Sequence, residues 1–170
     1  AVPAGCRAGV GDIPDWRCDD GERACGRVVP FAPDLGPGWW DYPLNGETNQ
    51  DQYRSYIRQD VMQLVQYGAA MVDCLSADWD FGNLEPLGLG DMSEANGAIP
   101  GTREGQPGHP QGTHVNGHDM DIAYYQLGTP DNRLRSVCDH VSGGRDQYHC
   151  VAEPHLLDPW RTALFIAWRP

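Results

Sequence analysis

The chain has 170 residues, 24 acidic side chains against 12 basic ones and a formal net charge of −12, and every basic residue other than histidine is arginine. An acidic surface of this kind repels phosphate backbones and anionic membrane faces, which argues against nucleic acid as a partner and leaves cations as acceptable ones. Hydrophobic content of 40% is enough for one buried core, so a single domain over 1–170 is expected, and no stretch approaches the ~18–20 apolar residues of a membrane span.

Residues 1–50 read as an irregular, Cys-rich segment with recurring Gly, Pro and Asp and no sustained period. "AVPAG" is the kind of small-residue start left after signal cleavage. The six cysteines (Cys6, Cys18, Cys25, Cys74, Cys138, Cys150) include no CxxC pair, so disulfides in an oxidising compartment are expected, with the protein secreted or periplasmic. Cys138 and Cys150 would close a short loop around "SGGRDQYH", and Cys74 would tie a helix end to a loop. The acidic run at 19–22, "DDGE", reads as a solvated turn and lacks the ligand series of a calcium loop. Trp39 and Trp40 fit core packing.

The clearest helix is predicted over 51–76, where Tyr53, Ile57, Val61, Leu64, Gly68, Met71 and Leu75 recur at three- and four-residue steps behind Asn49 or Asp51 as a cap. Turn formers fill 84–101. Residues 101–113 are polar and predict an exposed loop that delivers the chain to His114. Residues 120–127, "MDIAYYQL", predict a strand. The segment 156–170 predicts a buried helix with Asp158 as N-cap and Pro159 in its first turn. The expected fold is α+β: a small antiparallel sheet carrying 120–127, one long helix and large disulfide-stapled loops.

The chemistry concentrates in "GTHVNGHDMDIAYYQ", residues 112–126. A catalytic zinc takes about three nitrogen or oxygen ligands and keeps one position for water, which it acidifies for attack on a carbonyl. His114 and Asp121 are too far apart on an extended chain to share an ion, and Gly117 permits the bend that joins them. Asp119 and Asp121 share a strand face, so one can ligate while the other holds a ligand in place. The simpler alternative is a loop histidine hydrogen-bonded to a strand aspartate. His118, by alternation, falls on the solvent side.

The run "GDMSEANGAIPG", then "GHPQGTH", then "THVNGHDMDIAYY" resembles the penicillin-insensitive murein endopeptidases, within the broader LAS-type zinc peptidases. The likeness covers residues 90–126. It implies that His114 and Asp121 bind Zn2+, with His109 matching the family's upstream histidine at a spacing to His114 longer by two. The family closes its site with a late H-x-H, which this chain lacks; His140, His149 and His155 remain, with Glu153 two before His155. The expectation is therefore a metal set of His114, Asp121, His109 and His155, with His149 and Glu153 as catalytic groups. The domain would comprise 1–50 followed by a peptidase-like core at 51–170 that is incomplete at its C-terminus. The implied activity is that of a secreted metalloprotease, a hydrolase that cuts peptide cross-links of bacterial cell-wall peptidoglycan. The alternative is a non-catalytic extracellular binding or assembly module, associating with its own copies through Trp- and Tyr-rich loops.

Overall fold

The computed structural model describes Gly5, Cys6 and residues 26–167. Cys18, Cys25 and the acidic run at 19–22 lie outside the described residues. The fold is mixed α+β: small sheets and long loops around a long helix and a short one among the described residues. The strands are β1 (Val28–Pro30), β2 (Leu35–Gly36), β3 (Trp39–Asp41), β4 (Tyr56–Arg58), β5 (Leu87–Leu89), β6 (Val141–Ser142) and β7 (Arg145–Asp146). The helices are α1 (Gln59–Leu75) and α2 (Pro159–Ala167).

α1 begins eight residues later than its apolar spacing predicts. Residues 51–58 instead pass through a turn into β4, which pairs antiparallel with β1 through Val29 and Ile57. That pairing uses the backbone donors and acceptors that an earlier helix start would need. Neither Asn49 nor Asp51 caps the helix; Arg58 occupies the N-cap position and makes no side-chain cap. The buried side of α1 carries Val65, Ala69, Ala70, Met71 and Val72, packed with Trp39, Ile57, Leu87, Leu89 and Met92 into one core. Trp39 belongs to that core.

A single antiparallel sheet around 120–127 does not form. The largest sheet runs β2–β3–β5, with β2–β3 antiparallel and β3–β5 parallel, Trp39 opposite Leu87 and Asp41 opposite Leu89. Residues 120–127 are extended but contribute only isolated bridges, Ile122 to Leu89 and Gln126 to Leu157. Three backbone bonds lay this segment along the β5 edge: Gly90 N–H to the Asp121 carbonyl at 2.8 Å, Asp121 N–H to the Asp91 carbonyl at 2.9 Å, and Ala123 N–H to the Gly88 carbonyl at 2.9 Å. Gly90 sits in close contact there: a Cβ would stand 3.1 Å from the Asp121 Cβ and would push aside a Leu134 methyl, the end of a flexible side chain.

α2 starts as its sequence dictates. The Asp158 carboxylate accepts from the N–H groups of Trp160 and Arg161, both at 3.1 Å. Its burial is less than its apolar run suggests: Trp160 and Ile166 face solvent, while Leu164 and Phe165 rest on the core and Arg161 is the buried anchor. Arg161 donates from Nε to the Ser76 hydroxyl at 2.8 Å and from its fork to Asp158 and the Phe81 carbonyl, fixing α2 to the end of α1.

Two disulfides staple the described residues. Cys6–Cys74 joins the N-terminal segment to the last turn of α1, and Cys138–Cys150 closes the loop that contains β6 and β7. No described helix is long and apolar enough to cross a membrane. The two crosslinks span 68 and 12 residues. Chain entropy therefore assigns about 4 kcal/mol to the first and about 3 kcal/mol to the second. Replacing Cys6 and Cys74 by Ser should lower the urea midpoint more than replacing Cys138 and Cys150, as measured by equilibrium unfolding.

Candidate metal centre

The turn after the polar loop is built on left-handed backbone. His114, Asn116 and Gly117 have φ of 58°, 56° and 65° around a single 3-10 turn, Val115–Gly117. Gly117 presses against β4: a Cβ there would lie 2.6 Å from the Arg58 nitrogen and 2.7 Å from the Ile57 Cα. Glycine alone relieves both the positive φ and the close approach. The bend folds His114 back toward Asp121, which the β5 edge already holds.

His114 is buried. Asp119 holds it: its carboxylate accepts from the His114 N–H at 2.8 Å and stands 2.9 Å from Nδ1, and its backbone carbonyl is the hydrogen-bond partner of Nδ1 at 3.4 Å. The other ring nitrogen, Nε2, is 3.6 Å from Asp121 Oδ1. This is the arrangement of a metal-binding histidine: a carboxylate on one nitrogen, the lone pair of the other toward the site. His109 stands edge-on to His114, ring centroids 4.3 Å apart, with Nε2 3.9 Å from Asp121 Oδ2.

His109, His114 and Asp121 thus offer three ligand atoms within 4.8 Å of one another. Donor atoms around a tetrahedral zinc stand about 3.3 Å apart at ordinary bond lengths, so the group closes on an ion by a contraction of about 1.5 Å or less. Two imidazoles and a carboxylate suit zinc or a neighbouring transition metal and leave a fourth position open. The donor set fits the metal; the structure does not specify which metal.

The remaining candidates do not join this group. His155 and Glu153 are exposed, the His155 N–H donating to the Glu153 carbonyl at 2.8 Å. His149 is exposed beside the Gln147 carbonyl. It lines a cavity of about 420 Å³ over the Cys138–Cys150 disulfide, with Tyr124, His140, Asp146 and Tyr148. His118 is exposed, as alternation indicated, and contacts Arg58.

Two acidic residues that sequence spacing did not single out lie beside the site. Asp91 is buried and its Oδ2 is 2.8 Å from His109 Nε2 and 3.3 Å from an Arg54 nitrogen. Its place in "GDMS" is the signal that pointed to it. Asp41, at the end of β3, is buried with neither oxygen in a hydrogen bond. Burial pushes its carboxyl up to about 7, the charges of Glu47, Asp34 and Asp91 add to the shift, and the nearby Ser55 hydroxyl opposes it. Burial raises Glu47 as well, although it accepts from the Arg54 and Leu44 N–H groups.

No family model, curated protein or solved structure matches this chain.

Two outcomes follow. Gly117→Ala should destabilise the fold by about 3 kcal/mol, from left-handed strain plus overpacking on β4, and a thermal melt checks it. Asp41 makes stability fall with rising pH. Between about pH 4 and 7 the folded protein keeps this proton and the unfolded chain releases it, so the folded state loses ~4 kcal/mol at most across that window. Urea midpoints from pH 4 to 8 should show the fall, and Asp41→Asn should flatten it.

Proposed function

We propose that the chain is a secreted or periplasmic zinc-dependent peptidase-like protein that hydrolyses peptide cross-links of bacterial cell wall. The observation that supports this reading is the convergence of His109, His114 and Asp121, whose possible ligand atoms all lie within 4.8 Å of one another. The two disulfides and the absence of a membrane-crossing helix among the described residues are consistent with an exported protein. With His109 as third donor, no late histidine is required.

Zinc bound there supplies the Lewis acidity that readies a water and polarises an amide carbonyl. The chain's own residues do the rest. Asp119 fixes the His114 ring so that Nε2 faces the site. The left-handed turn at 114–117 sets the ring's approach. A cavity of about 440 Å³ lined by Asp51, Tyr53, Tyr56, Glu94, Asn96 and Arg103 lies beside the "GDMSEANG" segment and offers room for a peptide chain with charged and amide groups. None of His109, His114 and Asp121 lines this cavity; the neighbouring Arg54 pairs with Asp91, which contacts His109.

A non-catalytic assembly module is the competing reading, favoured by one observation: His149, Glu153 and His155 stand outside the donor group. The deciding measurements are zinc content and hydrolysis of purified wall. Purified protein should hold about one zinc per chain, lost in His114→Ala and Asp121→Ala, and both variants should lose hydrolysis by at least ~10³-fold while remaining folded. Zinc without hydrolysis in the parent would favour the module. Hydrolysis that survives both substitutions would remove the metal mechanism.

A further inference from the structure

Asp91 is tied to both halves of the donor group. Its carbonyl accepts from the Asp121 N–H at 2.9 Å, and its Oδ2 lies 2.8 Å from His109 Nε2. The same oxygen is 3.3 Å from Arg54 and 3.4 Å from the Asn45 amide, while Oδ1 is buried with no partner. A simple buried ion pair with Arg54 would place its shortest contact on Arg54. Here the shortest contact is on His109, the one potential ligand carried by a polar loop with little packing of its own.

A neutral imidazole has one N–H and one lone pair, and a carboxylate can only accept. The Asp91 contact therefore puts the His109 proton on Nε2 and leaves the lone pair on Nδ1. Asp119 treats His114 in the mirror sense, holding Nδ1 and leaving Nε2. Each histidine has its own aspartate, on opposite ring nitrogens: Asp91 through its carboxylate, Asp119 through its backbone carbonyl with the carboxylate close by. Metal-binding histidines are commonly oriented in this way, and loss of the orienting group typically costs about 10–100-fold in metal affinity.

We propose that Asp91, held by Arg54 and Asn45, is the positioning residue of the metal centre: it clamps His109 through Nε2 so that Nδ1 is the donor to the metal. This rests on the zinc-binding reading above. The rival geometry is explicit, because Nε2 also lies 3.9 Å from Asp121. If Nε2 were the donor, Asp91 would compete with the metal for that nitrogen, and removing Asp91 would tighten binding.

The test is zinc affinity by chelator competition on the full chain, for the parent, His114→Ala, Asp91→Ala and Asp91→Asn, with folding checked by circular dichroism. Asp91→Ala should weaken zinc by about 10–100-fold. Asp91→Asn, which keeps shape and an acceptor but no charge, should fall between it and the parent and decides the matter if the alanine variant does not fold. Long-range nitrogen–proton NMR of the His109 ring in the parent should show zinc shifting Nδ1 while Nε2 keeps its proton. Unchanged or tighter zinc in folded Asp91 variants, or a zinc shift at Nε2, overturns the clamp while leaving the metal centre standing. A parent that binds no zinc overturns both.

Discussion

The structure depends on one short stretch of backbone pairing, that between residues 88–91 and 121–123. Three hydrogen bonds of 2.8–2.9 Å hold two segments about 30 positions apart in sequence side by side. The approach is close enough that a Cβ at position 90 would come within 3.1 Å of the Asp121 Cβ. Asp121 is thereby fixed against β5, which is itself paired parallel to β3 in the middle of the core. Every other member of the donor group is placed relative to this edge: His114 by the left-handed turn that docks on β4, His109 by the Asp91 side chain that the same pairing delivers.

The chain buries three aspartates but only two arginines to pair with them among the described residues. Asp41, Asp91 and Asp158 are all at most 4% exposed, and only the last two have an arginine partner. Burying a lone carboxylate is costly, so Asp41 holds a proton near neutral pH instead of a charge. Arg54 and Arg161 are themselves almost fully buried, and each is tied into its surroundings by several bonds.

Some features were legible because the residues involved act locally. Asp158 and Pro159 announce a helix start, and the carboxylate caps the amides that such a position must cap. Cys138 and Cys150 are near in sequence and have little choice but each other among the described residues. His114, Gly117 and Asp121 encode the bend and its two ends within eight positions. The start of α1 was not legible, since apolar spacing continued through β4, whose burial comes from pairing with β1 instead of from a helix face. The segment 120–127 has the alternation of a strand, yet its pairing forms isolated bridges and no continuous ladder.

By itself the sequence determined the class of the fold, the long helix and its second partner, the disulfide-stapled loops, and the bend that joins His114 to Asp121. The reason is that propensity, capping and turn chemistry act over a few residues and need no distant partner. The resemblance offered His109 and His155 alike as further ligands; only the tertiary structure brings His109 to His114 and Asp121, leaves His149, Glu153 and His155 apart, and stands Asp91 behind His109. Those choices depend on which loop lands on which sheet edge, and that is set by pairing and packing between segments tens of residues apart.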